Sequence, residues 1–223
     1  MKIVIGLGGS LLTRKLTPEN FKKYAKVLIK LKKKGHEIVV ICGGGKTSRK
    51  YQKIAKSFKV SNTFADKIGI LATHLNAMLL IAALGKHAHQ KVFKTEEEVK
   101  KVSKNKILVC GGSFPGHSTD YDSALFAKAI KADLLIKATN VSGVYSSDPK
   151  KNPKAKKFDK LSYKEFERII SKNKRGPGEH DLFDLSAIKI IKNSKIKTVI
   201  VNGKDAREIL KAVEGKDKGT KII

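Results

Sequence analysis

The chain has no tryptophan, only 2 methionines, 2 cysteines and 5 prolines in 223 residues, and its 20 acidic side chains face 48 Lys and Arg. Each shortage excludes something. Cys42 and Cys110 are too few for a disulfide framework or a cysteine-rich metal centre, which fits a reducing cytoplasm. The start, Met1-Lys2-Ile3-Val4-Ile5, has no secretory signal pattern, so the Asn140-Val141-Ser142 sequon is not expected to carry glycan. Aromatic residues make up only 6% of the chain, so a base-stacking surface is poorly supported. The net charge of +28, spread from Lys22 to Lys221, is therefore read as a field that steers anionic small molecules. The blander reading is a Lys-rich surface of the kind common in thermophiles. Nucleic acid is not expected as the main partner, despite the charge. Long apolar runs are also scarce. Ile68–Leu84, about 17 residues, sits at the short limit for crossing a bilayer and contains His74 and Asn76, so no membrane span is expected. Ile68, Leu71, Leu75, Met78, Leu79 and Ala82 form one stripe of a helix over Asp66–Leu84, and other apolar residues cover much of the rest. Such a helix is buried or lies between subunits, so a homo-oligomer is expected.

Glycine is what the chain spends on chemistry. Glu37–Cys42 reads as a buried strand, Gly43-Gly44-Gly45 as a turn, and Tyr51, Ile54, Ala55 and Phe58 as one face of a following helix. Glycines let backbone approach a ligand closely, and a helix start with Lys46 and Arg49 beside it favours a phosphate. A plain strand-to-helix turn is the simpler reading, but one glycine would suffice for that. Two familiar phosphate loops are absent. A Walker loop needs Gly where Val40 stands, and a dinucleotide fingerprint needs Gly where Leu11 stands. The pattern recurs instead. Lys2–Leu7 ends in Gly8-Gly9-Ser10, and Lys106–Cys110 ends in Gly111-Gly112-Ser113. Three such turns on one edge of a parallel sheet make a wide polyanion site, large enough for two phosphorylated molecules meeting head to head.

The remaining elements follow in order. Thr17-Pro18-Glu19 starts a helix that ends in Lys32, Lys33, Lys34 and Gly35 and joins two strands, a βαβ unit with parallel strands. Asp66 opens the apolar helix, where a first-turn acid is favoured by the dipole. In Gly111–Asp120, Ser118, Thr119 and Asp120 precede a helix over Asp122–Ala132. Capping accounts for one of them and leaves two for a ligand. His117 is read as a binding residue. Asp133–Lys137 is a fourth strand. The polar loop from Ala138 to Pro149 carries Tyr145 beside Thr139, Asn140 and Asp148, which suits a purine ring and its sugar. Helices over Ser162–Ser171, Leu185–Lys192 and Asp205–Val213, a strand over Lys197–Val201 and a mobile loop over Asn173–Asp181 complete an α/β chain with a mainly parallel sheet.

These residues resemble the amino acid kinase family, and within it the archaeal type of uridylate (UMP) kinases. The resemblance runs through Leu7-Gly8-Gly9-Ser10, Gly43-Gly44-Gly45-Lys46 with Arg49, Ala77–Leu84, Gly111–Asp120, Ala132-Asp133-Leu134-Leu135, Thr139–Tyr145 and Asp148-Pro149, in order and over the full length. It implies one domain over residues 1–223, a three-layer α/β/α sandwich whose N-terminal part binds the acceptor and forms the oligomer interface and whose C-terminal part binds ATP. It implies transfer of the ATP γ-phosphoryl group to UMP, with Mg²⁺, in a cytoplasmic hexamer built as a trimer of dimers. Gly9, Ser10, Gly45 and Arg49 would hold ATP phosphates. Thr139, Asn140, Tyr145 and Asp148 would hold adenosine. Gly44, Asp66 and Ser113, Phe114, Pro115, Gly116, His117, Ser118 and Thr119 would bind UMP. Asp120 would orient the cationic groups, and Asp184 would reach towards the metal; no metal-binding set is assigned to the protein itself. Many family members carry Lys two residues before Gly8, where this chain has Gly6. The bridging charge must then come from Lys46, Arg49, Lys15 or Lys189. The alternatives are a kinase of the same fold acting on another small phosphate, such as isopentenyl phosphate, or a basic RNA-binding protein.

Overall fold

The computed structural model describes residues 1–149, 151–172 and 182–223. The chain opens with strand β1 (Lys2–Leu7), a short helix α1 (Gly9–Thr13) and helix α2 (Pro18–Lys33). Thr17 caps α2 by accepting from the Asn20 amide at 3.4 Å, with Pro18 in the first turn and lysines in the last, as helix ends prefer. Strand β2 (Glu37–Cys42) leads into α3 (Gly45–Ser57), and α3 into α4 (Asn62–Leu84). Strand β3 (Ala88–Phe93), helix α5 (Glu96–Lys101), strand β4 (Ile107–Cys110), helix α6 (Thr119–Ala129) and strand β5 (Leu134–Thr139) follow. The C-terminal part holds β6 (Lys160–Leu161), α7 (Tyr163–Lys172), α8 (Leu185–Asn193), β7 (Thr198–Asn202), α9 (Arg207–Val213) and β8 (Thr220–Ile222).

Among the described residues the strands form one sheet in the order β3-β4-β2-β1-β5-β7-β8-β6. Only the β7–β8 pair is antiparallel. Side chains alternate across a strand, and here the alternation divides the core into two. Ile3, Ile5, Val40 and Ile136 pack with α2, α4 and α9 on one side. Val4, Val39, Ile41 and Leu135 pack with α6, α7 and α8 on the other. Both faces are covered, so the central strands read as continuous apolar runs. The result is the α/β sandwich with a mainly parallel sheet that the pattern predicts.

Several boundaries differ from the sequence expectation. β3, β6 and β8 were not expected. β6 and β8 are short, and all three lie at or near the sheet edges, where less apolar burial marks a strand. The apolar helix starts at Asn62, capped by Ser61, whose hydroxyl accepts from the Phe64 amide at 3.2 Å. Asp66 therefore lies beyond the first turn and is not a dipole-compensating residue. α6 starts at Thr119 under a Ser118 cap, three residues before the expected start, and the fourth expected strand continues to Thr139. Gly9, expected as a turn, begins a helix. Of the residues read as one helix face, Tyr51 and Ile54 lie on α3 and Phe58 is its C-cap, and they stand exposed at 56%, 48% and 74%. The expected loop over Asn173–Asp181 lies outside the described residues.

Candidate active site

Because β1, β2 and β4 are parallel, their carboxyl ends and the glycine turns that follow fall on one edge of the sheet. Two of these turns touch through backbone alone. A Cβ on Gly9 would lie 2.1 Å from the Gly45 nitrogen and 2.5 Å from the Gly43 carbonyl, so nothing larger than glycine fits there. Gly45 has a φ of 65°, a conformation that favours glycine. Thr13 adds a polar tie, accepting from the Lys46 amide at 3.1 Å while donating to the Gly9 carbonyl at 3.0 Å.

The inner face of α4 fastens the turns from below. Asn76, buried, donates from Nδ2 to the Gly43 carbonyl at 2.8 Å. Thr73 Oγ1 accepts from the Gly112 amide at 2.7 Å. His74 Nε2 lies 2.9 Å from the Gly112 carbonyl. Burial pushes the His74 pKa down, so the neutral ring donates from Nε2–H. Polar residues within an apolar helix are thus spent on positioning the glycine backbone.

These turns open onto a cleft of about 840 Å³. Its walls include Gly9, Ser10, Gly44, Gly45 and Arg49 near the first two turns, and Asp66, His117, Ser118, Thr119 and Asp120 on the side of α4 and α6. Thr139, Asn140, Tyr145 and Asp148 lie along a further wall. That wall is pinned to β8, where Thr220 Oγ1 accepts from the Val144 amide at 2.8 Å. Six of the predicted site residues do not line the cleft: Lys46, Ser113, Phe114, Pro115, Gly116 and Asp184. Lys46 is exposed on α3. Phe114 is 53% exposed, and the loop folds so that the Gly116 amide donates to Asp66 Oδ2 at 3.0 Å. Asp184 caps α8 and accepts from the Ser118 hydroxyl at 2.5 Å. Burial pushes its pKa up, but hydrogen bonds from Ser118 and from the Ser186 hydroxyl and amide outweigh that and hold the carboxylate below its ordinary range. Of the cations proposed to replace a lysine at Gly6, Arg49 lines the cleft and Lys15, Lys46 and Lys189 do not.

Sequence reasoning missed Lys137. It ends up at the floor of the cleft, paired with Asp120, the two side chains 14% and 12% exposed. The only trace in the sequence is a lysine at the end of an apolar run, which says that a partner is needed but not which residue supplies it. Ser48, Gln52 and Thr73 also line the cleft. Gln52 Nε2 donates to Asp66 Oδ1 at 3.4 Å.

Comparison with known proteins assigns the arrangement. The model of the amino acid kinase family matches residues 1–202. The chain belongs to that family. It is similar to the uridylate kinase of Methanococcus maripaludis, 45% identical over 227 residues, covering 100% of this chain and 99% of that one. It is also similar to the crystal structure of uridylate kinase from Archaeoglobus fulgidus, 44% identical, with a TM-score of 0.90 and full coverage of both chains. The crystal structure of UMP kinase from Bacillus anthracis, 22% identical with a TM-score of 0.84, covers 99% of this chain and 95% of that one and shares the fold. Within the family, then, this chain carries Gly6 on β1 and a largely buried lysine, its side chain 14% exposed, on the adjacent β5. Among the described residues no group of three or more His, Cys, Asp or Glu is placed to hold a metal.

Proposed function

We infer that the protein is a uridylate kinase, transferring the γ-phosphoryl group of ATP to UMP to give ADP and UDP. The observation that carries this is the relation to uridylate kinases at 45% identity over the full length, with the three glycine turns of this chain gathered at one cleft. A volume near 840 Å³ lies towards the upper end of the ~300–1,000 Å³ usual for ligand pockets, as two nucleotides end to end require.

ATP phosphates are assigned to Gly9, Ser10, Gly45 and Arg49, and adenosine to the wall of Thr139, Asn140, Tyr145 and Asp148. UMP is assigned to Gly44, Asp66, His117, Ser118 and Thr119. Ser113–Gly116 then support the acceptor side through the Gly116–Asp66 bond rather than by lining the cleft. Asp120 orients Lys137. Mg²⁺ enters as the complex with ATP and is substrate rather than resident. Asp120, Asp66 and Asp184 are already engaged by Lys137, by Gln52 and Gly116, and by Ser118 and Ser186, so the nucleotide phosphates supply most of its ligands. UMP is already ionised, so in-line attack needs no general base. Positioning and positive charge supply the catalysis.

We also propose a hexamer built from dimers, which needs two different interfaces. Two exposed apolar faces support it. One is the α4 stripe of Leu71, Leu75, Met78 and Leu79, and the other is Tyr51 and Ile54 on α3 with Phe58 at its C-cap. Two free, buried thiols suit a cytoplasmic location.

The test is coupled ADP release with ATP and Mg²⁺ against UMP, CMP, dTMP, AMP and isopentenyl phosphate. UMP is expected to turn over fastest. An inert UMP beside an active competitor overturns the acceptor assignment.

A further inference from the structure

Lys137 and Gly6 are partners in the parallel register of β5 and β1. Register partners in a parallel pair share a face of the sheet, and this is the face that α6 covers, since Val4, Leu135, Ala124 and Phe126 belong to one core cluster. α6 sits close over Gly6. A Cβ built there would lie 2.9 Å from Ser123 Oγ, which is itself held by donating to the Thr119 carbonyl at 2.6 Å. β1 therefore offers no side chain at this point: Ser123 of α6 occupies the space over Gly6, and the cation on this face comes from β5. Lys137 pairs there with Asp120, in the first turn of α6, and lines the cleft.

The other cleft-lining cations among the described residues, Arg49 and Lys151, are exposed. Lys137 differs from them in being mostly dehydrated, and Asp120 holds it. A cation in such a place acts on developing charge far more strongly than one in water and costs no reorganisation during reaction. As a device for stability alone the pair is a poor one, because apolar residues of similar volume are often as stable or more so.

We propose that Lys137 is the catalytic cation of the phosphoryl transfer, entering from β5 beneath the gap between donor and acceptor phosphates. The inference rests on the kinase reading above. A UMP phosphate oxygen forms its bond to the γ-phosphorus as the bond from that phosphorus to the β,γ-bridging oxygen breaks, and that electron pair leaves with ADP. The Lys137 ammonium balances the charge shifting onto the transferred and leaving oxygens, and no proton moves. Asp120 is a positioning residue that keeps the ammonium in place.

The test uses the full chain and three variants, with kcat and KM from ADP release and Kd for ATP and UMP from calorimetry. Lys137→Met is expected to lower kcat about 100-fold or more while both Kd values stay within about threefold of wild type. Lys137→Arg, which keeps the charge, is expected to recover part of the loss. Lys137→Met combined with Asp120→Asn removes the carboxylate left unpaired, so its melting temperature is expected to rise above that of the single variant while kcat stays low. A kcat within about threefold of wild type in Lys137→Met overturns the assignment, as does recovery of kcat together with stability in the double variant. If the wild type ignores UMP but uses another acceptor, and Lys137→Met abolishes that transfer, the uridylate reading fails and the lysine assignment stands. A wild type without turnover on any acceptor overturns both.

Discussion

Replacing Gly9 with alanine sets two rules of protein chemistry against each other at one carbon atom. Gly9 begins helix α1, where propensity alone favours alanine by up to about 1 kcal/mol. Against this stands the contact with the second glycine turn. The new Cβ would lie 2.1 Å from the Gly45 nitrogen and 2.5 Å from the Gly43 carbon and oxygen. All three are backbone atoms in a turn that Asn76 also holds, so no side chain can swing away. Overpacking typically costs about 1–3 kcal/mol, and a clash with backbone belongs at the top of that range. Sterics therefore win by about 2 kcal/mol. At about 2–4 °C per kcal/mol for a chain of this size, the melting temperature falls by roughly 4–8 °C. Activity suffers more. Relieving the contact to van der Waals distance separates the turns by more than about 1 Å, a displacement worth about 100-fold in rate where reactants must be aligned. Gly215→Ala is the matched control. Its φ of 71° brings strain, but nothing lies within 4 Å of its Cβ, so it is expected to lose about 1 kcal/mol and keep wild-type kcat/KM. Melting curves and ADP release on both variants decide the matter. A Gly9→Ala protein with wild-type melting temperature and kcat/KM within threefold refutes the glycine-contact argument.

Asp122, buried on α6, has its carboxyl pushed up to about 6 by burial, against the pull of the Ser113 amide hydrogen bond. A raised carboxyl pKa favours the fold while protonated, so that stability is full below about 3.8 and lost as pH rises through about 6. Asp122→Asn is expected to gain melting temperature over wild type between pH 4 and 7, levelling off at no more than about 3 kcal/mol, and a gap independent of pH contradicts this. Asn76→Ala leaves the buried Gly43 carbonyl without its side-chain donor, which costs about 1–3 kcal/mol and is expected to raise KM for ATP; an unshifted melting curve would show that the bond does not hold the turn. Leu75→Glu places a charge in the exposed α4 stripe, where Leu75 is 63% exposed, and is expected to reduce the assembly mass in light scattering, whereas an unchanged mass removes that stripe from the interface.

What the sequence discloses depends on where each element sits in the sheet. β1, β2, β4, β5 and β7 are covered on both faces, and burial from both sides forces an apolar run that can be read directly. β3, with exposed Gln90 and Lys91, and the short β6 and β8 carry no such run, because they sit at or near an edge. The glycine turns were legible because backbone contact tolerates nothing else. Lys137 was not, because its meaning depends on two neighbours remote in sequence. Asp120 is separated from it by 17 positions, and Gly6 meets it only through the β1–β5 register. Of the four cations the sequence offers in place of a lysine at Gly6, Arg49 lines the cleft and Lys15, Lys46 and Lys189 do not. The cation that β1 lacks at Gly6 stands on the strand beside it, and strand order is what sequence periodicity does not reveal.

Helix α4 shows the same point from the other direction. By length and composition Asn62–His87 could cross a membrane. Its apolar residues alone cannot separate a span, a core helix and an interface helix, since all three are apolar nearly all round. The polar residues can. Thr73, His74 and Asn76 fall close together and meet the second and third glycine turns. Small residues on the same side, Ala65, Gly69, Ala72 and Ala77, are buried. Up to Ala77 the helix thus turns small and hydrogen-bonding residues inward, Leu80, Ile81 and Leu84 anchor its last turns in the core, and Leu71, Leu75, Met78 and Leu79 stay outside. Four exposed large apolar side chains on one stripe go against packing within one subunit, because such side chains stabilise most when buried. Where the inner face of α4 positions backbone at the cleft, the large apolar groups of Leu71, Leu75, Met78 and Leu79 lie on the outer face. A second copy of the chain covering that face would couple subunit contact to the glycine turns through the single helix that carries both.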